Sequence, residues 1–301
     1  MLRFTLVLLA LCGSLATFAQ TLVQTVPGFQ SPESVAEEPG GRYLYVSNVG
    51  AKLEPTTEDG DGFISRLTRT GEVDKLKFIT GLNAPKGMAI VGSTLYVTDI
   101  NKVYGYSLPE GKRIKTFTLE KSIRFLNDMV AQGDAYLLVS ATDKGVIYRI
   151  DLRTDKIEEL KIDDLPPGAN GLCIARETLY LNTYTGTGEG RCGAVDLRAA
   201  KLKFVPLAEM EGDFDGIYTE DGRTVLASSW ANPREGAALL RWEHKPISVV
   251  ETQAPGSPVT QLNLPKDLKS PADFLYVPDS GMLYLPDMMG NRLLIFSYPL
   301  R

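Results

Sequence analysis

The 301-residue sequence contains one histidine and three cysteines, and these low counts exclude several kinds of site. Structural and catalytic zinc sites need grouped thiols or imidazoles, and Ser-His or Cys-His nucleophile systems need a histidine beside the nucleophile. The one histidine, His244, lies in a Glu-His-Lys-Pro stretch that predicts a solvated turn. We therefore expect neither a zinc site nor histidine-dependent catalysis.

The sequence also lacks runs of basic residues. It has 32 Lys and Arg against 37 Asp and Glu, a net charge of -5, and the basic residues are scattered among the carboxylates. Phosphate binding needs a concentrated basic face, so we expect no nucleic-acid partner. The small acidic excess favours cations instead.

Long apolar segments are confined to the first twenty residues. Arg3 precedes an almost wholly apolar stretch from Phe4 to Phe18, which is shorter than the ~20 residues that a membrane-spanning helix needs. This pattern predicts a signal peptide at 1–19 and a mature chain that begins near Gln20, exported to the periplasm or secreted, without a membrane span. An uncleaved anchor is the alternative.

Cleavage would leave Cys173 and Cys192 as the remaining cysteines. Two cysteines in a large exported domain do not make a disulfide framework. We expect both to be unpaired structural thiols.

A repeated phrase is the strongest signal in the chain. Each phrase has four residues: a leading residue, a usually polar residue, a small or acidic residue and the first residue of an apolar run. The second residues of consecutive phrases lie 41 to 57 residues apart. The six phrases begin at Pro32, Pro85, Leu126, Ala169, Phe214 and Pro271. Spacing of this size is typical of the blades of a propeller.

A second apolar run follows each phrase about ten residues later. Third and fourth runs complete sets of four, such as Val146–Ile150 and Lys156–Leu160 or Lys201–Val205. The pattern predicts an all-β fold, one six-bladed β-propeller of four-stranded antiparallel blades spanning residues 20–301. The last blade is one strand short, so we expect Thr21–Val26 to complete it as the outer strand. An open stack of sheets or a β-helix is the alternative.

The first strand of each propeller blade lines the central channel, so the second residues of the six phrases form a ring at one mouth. This mouth ring consists of Glu33, Lys86, Asn127, Asn170, Asp215 and Ala272. Two carboxylates and two carboxamides suit a hard divalent cation, with Ca²⁺ the first choice. The competing interpretation is that Asn170-Gly171 and Asp215-Gly216 are turn dipeptides.

The phrases resemble those of the gluconolactonase and regucalcin family. Ala169-Asn170-Gly171-Leu172 and Phe214-Asp215-Gly216-Ile217 look like that family's metal-binding Asn-Gly-Leu and Asp-Gly-Met phrases, and Glu33 stands where its first-blade metal glutamate stands. Diisopropyl fluorophosphatases and paraoxonases carry a similar set. The resemblance implies a cation held by Glu33, Asn127, Asn170 and Asp215.

The resemblance also implies a metal-dependent hydrolase of lactones or esters. Asp215 would then act on water as general base or attack directly. Lys86, Asp128 and Arg124 are the candidates for substrate binding, although Arg124 lies one residue farther from Asn127 than the family's arginine does. We expect a monomer that acts on a small molecule. The alternative is a non-catalytic propeller that binds a small ligand, sugar or protein, with a structural cation.

Two loops remain ambiguous in the sequence. Glu58–Gly62 has the acidic residues of a second Ca²⁺ site but lacks a closing bidentate glutamate, which favours an exposed loop. Thr185–Gly190 lacks the lysine and helix of a phosphate loop, which favours a flexible loop over the channel mouth.

Overall fold

A computed structural model describes residues 20–207, 210–232, 236–243 and 260–300. The predicted signal peptide at 1–19 and His244 lie outside the described residues. All regular structure in these ranges is β-strand. None of the described segments forms a helix that is long and apolar enough to cross a membrane.

The first three blades are consecutive four-stranded antiparallel sheets. Blade 1 consists of β2 (Pro32–Glu37), β3 (Tyr43–Asn48), β4 (Gly62–Thr68) and β5 (Val73–Leu82). Blade 2 consists of β6 (Pro85–Val91), β7 (Thr94–Asp99), β8 (Lys102–Ser107) and β9 (Lys112–Thr118). Blade 3 consists of β10 (Leu126–Gln132), β11 (Tyr136–Ala141), β12 (Val146–Asp151) and β13 (Ile157–Leu160).

The last three blades have the same layout, and the outer strands of blades 4 and 5 are only two residues long. Blade 4 consists of β15 (Ala169–Ala175), β16 (Thr178–Thr183), β17 (Cys192–Asp196) and β19 (Val205–Pro206). Blade 5 consists of β20 (Asp213–Tyr218), β21 (Thr224–Asn232), β22 (Gly236–Glu243) and β23 (Thr260–Gln261). Blade 6 consists of β24 (Leu275–Val277), β25 (Met282–Asp287), β26 (Arg292–Ser297) and β1 (Thr21–Pro27). A short parallel pair, β14 (Ile162–Asp163) with β18 (Leu202–Lys203), joins the outer edges of blades 3 and 4.

The N-terminal strand closes the ring. β1 pairs antiparallel with β26, from Thr21 opposite Ser297 to Pro27 opposite Arg292. The predicted six-bladed propeller, with Thr21–Val26 as the missing outer strand, is confirmed. Closure removes the open edges that an unclosed stack of blades would leave.

The hydrophobic core lies between neighbouring blades. Each strand alternates its side chains between two faces, so both faces of a blade meet those of its neighbours. Tyr45 of blade 1, for example, shares a buried cluster with Leu95 and Val97 of blade 2. Cys173 and Cys192 are unpaired, as expected, and burial raises the pKa of the Cys173 thiol to about 12.

Candidate functional site

The first strand of five blades carries a β-bulge at the same place. The antiparallel register shifts between the first and fourth residues of the phrase, so two residues oppose one on the second strand. The bulged pairs are Glu33-Ser34, Lys86-Gly87, Asn127-Asp128, Asn170-Gly171 and Asp215-Gly216. A bulge re-aims a side chain at the end of a strand. It places the predicted mouth-ring residues at one common position in each blade.

A polar residue on the second strand faces each bulge and holds it. The five residues are Ser47, Thr98, Ser140, Asn182 and Ser228. Ser47 Oγ accepts the Ser34 backbone N–H at 2.9 Å, and Asn182 Oδ1 accepts that of Gly171 at 2.9 Å. Several of these side chains also donate to the next blade, as Thr98 Oγ1 does to the Asn127 carbonyl at 2.6 Å. The same bonds therefore stabilise the bulges and tie neighbouring blades together.

Five mouth-ring side chains are polar and buried. Glu33, Lys86, Asn127, Asn170 and Asp215 are each at most 5% exposed. Three of their oxygens, Glu33 Oε2, Asn127 Oδ1 and Asn170 Oδ1, have no hydrogen-bond partner among the described residues. Buried polar oxygens normally have a partner, and leaving one without costs ~1–3 kcal/mol. These three unsatisfied acceptors come from three different blades.

Asp215 is fixed by two donors. Trp230 Nε1 donates to Oδ2 at 2.8 Å, and Asn170 Nδ2 lies 3.4 Å from Oδ1 and 2.8 Å from the Phe214 carbonyl. Asn170 and Asp215 are therefore in contact across two blades, and their sharing of a cation with Glu33 and Asn127 stays a prediction. Trp230 was missed, because its approach depends on an irregular register between β21 and its neighbours.

Lys86 is the one cation of the ring. Its ammonium donates to the Ala84 carbonyl at 2.8 Å and lies 5.0 Å from the centre of the Phe125 ring. Burial lowers the pKa of Lys86 to about 8, while the negative charges of Glu33 and Asp99 act in the opposite direction. Lys86 therefore balances part of the negative charge at the mouth.

The third residues of the phrases form an inner tier directly below the mouth ring: Ser34, Gly87, Asp128, Gly171, Gly216 and Asp273. The Asp128 carboxylate accepts the backbone N–H groups of Met129 and Leu172, both at 2.6 Å. Asp273 Oδ2 accepts the Ser34 hydroxyl at 2.7 Å. Glycines make room here, since a Cβ at Gly87 would lie 2.5 Å from Asp128 Cα. Sequence reasoning passed over Asp273, although its phrase contains it.

Four buried carboxylates share this channel, and their pKa values reflect it. Burial, followed by the charges of Asp215 and Asp273, raises the pKa of Glu33 well above its usual range. Burial and Asp273 raise the pKa of Asp215 to about 7, against the hydrogen bonds from Trp230 and Asn170. The pKa of Asp273 rises to about 6, mainly through burial. The channel therefore favours positive charge or bound protons.

The donor set fits a hard divalent cation. Carboxylate and carboxamide oxygens are ligands that Ca²⁺ accepts, and the unpartnered oxygens of Glu33, Asn127 and Asn170 are such groups. In the part of the chain that the structure describes, no three His, Cys, Asp or Glu side chains are grouped to hold a metal ion. A cation at the mouth ring would therefore depend on the two asparagine oxygens.

Arg124 holds a loop. Its guanidinium donates to Glu58 Oε1 at 2.7 Å and to the Thr56 carbonyl at 3.0 Å, so the blade 1 loop between β3 and β4 is tied to blade 3. Asp61 Oδ2 in the same loop accepts the Ala51 N–H at 3.0 Å. These partners agree with a structural loop over Glu58–Gly62. A substrate contact for Arg124, like those for Lys86 and Asp128, stays a prediction.

The Thr185–Gly190 loop is held by Asp213. One carboxylate oxygen of this buried residue accepts the backbone N–H groups of Thr185, Gly186 and Gly188 at 2.8 to 3.2 Å. The loop's glycines thus serve a tight turn around an internal carboxylate.

Comparisons with known proteins place the fold. No family model matches the chain, and no curated protein matches it. A candidate gluconolactonase of known structure is 14% identical, with a TM-score of 0.63, and the match covers 94% of this chain and 93% of that one. A catalytically inactive variant of virginiamycin B lyase from Staphylococcus aureus, solved with quinupristin, is 13% identical with a TM-score of 0.57, over 92% and 99% of the two chains. The β-propeller domain of Myceliophteria thermophila Cps50 is 16% identical with a TM-score of 0.60, over 92% and 99%.

Proteins with different activities thus share this architecture. At such identities the likeness shows the propeller fold, and function has to be argued from the site.

Proposed function

We propose that the protein is a divalent-cation-dependent hydrolase of lactone or ester substrates, with Ca²⁺ as the preferred ion. The observation that carries the proposal is the set of unpartnered buried oxygens of Glu33, Asn127 and Asn170, contributed by three blades beside Asp215. A cation bound there would replace the missing hydrogen bonds and offset the repulsion between Glu33 and Asp215. The structural likeness to a candidate gluconolactonase agrees with this activity.

The residues of the ring have distinct roles in this proposal. A bound cation supplies Lewis-acid polarisation of the substrate carbonyl. Asp215 accepts the proton of the attacking water at Oδ1, whose donor, Asn170 Nδ2, is 3.4 Å away, because Oδ2 accepts the closer Trp230 N–H at 2.8 Å. The water oxygen bonds to the carbonyl carbon, the C–O bond to the leaving oxygen breaks, and that oxygen takes up the proton that Asp215 accepted. A lactone then gives a hydroxy acid, and an open-chain ester gives a carboxylic acid and an alcohol. Lys86 stabilises negative charge that develops at the mouth.

Cation binding and turnover are tested separately. Calorimetry with Ca²⁺, Mn²⁺, Mg²⁺ and Zn²⁺ should show one strong site that is lost in Glu33→Gln. A panel of aldonolactones, alkyl lactones, homoserine lactones and aryl esters should show turnover that Asp215→Asn abolishes without changing the circular dichroism spectrum. Asp134→Asn, at an exposed hairpin between β10 and β11, is the matched control and should keep full activity. Unchanged activity in Asp215→Asn would refute the mechanism.

A non-catalytic propeller is the second candidate. Both Asp215 oxygens already face a donor, Trp230 or Asn170, which suits a residue that only fixes a cation. Cation binding without turnover of any substrate in the panel would favour this function.

A further inference from the structure

A second ring of residues lies next to the mouth ring. In each blade the first residue of the phrase pairs with a residue near the end of the second strand. The residue after that partner belongs to what we call the collar: Val49, Ile100, Thr142, Tyr184, Trp230 and Met288. Five of these six side chains are aliphatic, thioether or aromatic.

Backbone hydrogen bonds show that the collar positions are equivalent. The N–H groups of Val49, Thr142, Tyr184 and Met288 each donate to the carbonyl of the residue just before their blade's phrase, at 2.7 to 3.0 Å. The collar is therefore a repeated feature of the mouth, set one step outward from the ring. Ile100 keeps its place at a φ of 56°, a conformation that β-branched residues rarely adopt. Such strain is concentrated at functional sites.

The collar has a closed half and an open half. Val49, Ile100 and Met288 are at most 4% exposed, and they form one apolar cluster with Ala84 and Ala272. Leu53 and Trp230 pack against this cluster and are only partly buried.

On the open side, Thr142, Tyr184 and Trp230 are half-buried beside blades 3, 4 and 5, which carry Asn127, Asn170 and Asp215. This side is therefore the more solvent-accessible part of the collar.

The open side offers apolar surface, and two of the three polar groups that Thr142, Tyr184 and Trp230 carry are already hydrogen-bonded. The Tyr184 and Trp230 rings meet edge to face at 6.1 Å between centroids. The Trp230 N–H is used by Asp215, and the Thr142 hydroxyl donates to the Ala169 carbonyl at 2.8 Å. Phe125, also half-buried, adds a third aromatic ring at the edge, next to Lys86. Hydrocarbon gains from burial on such a surface, whereas the several hydroxyls of a sugar would find too few partners against these rings.

We infer that the site prefers lactones or esters that carry an alkyl or aryl substituent over polyhydroxylated sugar lactones. The inference rests on the proposed function, because it places the substrate carbonyl at the mouth ring. It assigns the collar, and Tyr184 in particular, to substrate specificity. The hydrocarbon substituent would lie against Tyr184 and Trp230 while the carbonyl faces Asn127, Asn170 and Asp215.

Three lactones with the same six-membered ring test the inference. The unsubstituted δ-valerolactone, the pentyl-substituted δ-decalactone and the hydroxylated glucono-δ-lactone are compared by kcat/KM at saturating Ca²⁺. We expect δ-decalactone to exceed glucono-δ-lactone at least tenfold. Tyr184→Ser should remove most of the advantage of δ-decalactone over δ-valerolactone. Tyr136→Ser, at the far end of blade 3 where Arg149 covers the ring, should retain that advantage.

The outcomes separate this inference from the proposed function. Equal or better use of glucono-δ-lactone, or an unchanged alkyl advantage in Tyr184→Ser, would overturn the inference while leaving the hydrolase standing. If no lactone is turned over, the proposed hydrolase activity is refuted. The inference is then decided by calorimetry with wild-type protein: tighter binding of δ-decalactone than of glucono-δ-lactone would support it, and equal or weaker binding would overturn it. Cation binding is measured without any lactone, so its result is independent of both the hydrolase test and the lactone ranking.

Discussion

Replacing Asn127 by leucine should reverse the stability ranking of mutant and wild type between cation-free and cation-saturated solution. The Asn127 side chain is 5% exposed, its Oδ1 lacks a partner, and its amide makes no side-chain hydrogen bond within the described ranges. A buried unsatisfied oxygen costs ~1–3 kcal/mol, and leucine has a similar volume without the polar atoms. In EDTA the variant should therefore gain about 1–2 kcal/mol of unfolding free energy.

Cation binding acts in the opposite direction. At a free Ca²⁺ concentration of 100 times Kd, a ligand that binds only the folded state adds about 2.7 kcal/mol to the wild type. Asn127→Leu should lose most of this increment, because one of four ligands is gone. The variant should thus be the more stable protein in EDTA and the less stable one in Ca²⁺. Urea unfolding followed by fluorescence measures both.

Asn182→Leu is the matched control. Asn182 is buried next to the ring, but both ends of its amide are hydrogen-bonded, the oxygen accepting from the Gly171 N–H at 2.9 Å and the nitrogen donating to the Gly216 carbonyl at 3.0 Å. This substitution should destabilise the protein in both solutions. The reasoning is refuted if Asn127→Leu also destabilises the protein in EDTA while keeping the full Ca²⁺ increment.

Three further predictions concern the channel and its loop. The pKa of Asp215 is raised to about 7 and that of Glu33 is raised as well, so the folded state binds more protons than the unfolded state between pH ~4 and 7. The unfolding free energy of cation-free protein should therefore fall as pH rises through that range, with a smaller slope in Asp215→Asn. A slope that this substitution leaves unchanged would contradict the prediction. Gly171→Ala should lower the melting temperature by several degrees in a thermal scan, because its Cβ would overlap the Asp215 backbone carbonyl oxygen. Arg124→Ala should cost at most ~1 kcal/mol in urea unfolding, since both partners of its ion pair with Glu58 are about half exposed; a double-mutant cycle with Glu58→Ala that shows no coupling would exclude a stabilising role for this pair.

The sequence was sufficient for most of the fold because the repeat is local and regular. All six second strands contain their predicted apolar runs, and β1 closes blade 6 as expected. The outer strands were harder. Lys201–Val205 was predicted as one strand, but Leu202–Lys203 pairs with Ile162–Asp163 while Val205–Pro206 pairs with β17. Here part of one outer edge takes its partner from the neighbouring blade, and a single-blade pattern does not contain that information.

For the site, the phrase pattern predicted which positions form the ring but not what surrounds them. The bulges give Glu33 and Asn127 equivalent positions on the first strands of their blades, which is what the phrase pattern reflects. Trp230 reaches the channel through an irregular register of β21, which the sequence does not display, whereas Asp273 is the third residue of its phrase and could have been read from the pattern. Counting one residue past the end of the second strand finds the collar residue in five blades, whereas in blade 5 Trp230 lies within the longer β21.

The pairing of β1 with β26 has a consequence for how the ring comes apart. These strands stand near opposite ends of the described chain, so their ladder forms only after a long-range encounter with a high entropic cost. Once it has formed, every blade packs against a neighbour on both sides, so a single blade can unfold only by losing its contacts with both neighbours. Unzipping this seam between Thr21–Pro27 and Arg292–Ser297 is therefore the natural first event of unfolding, and a covalent bond across it would slow the loss of the whole structure.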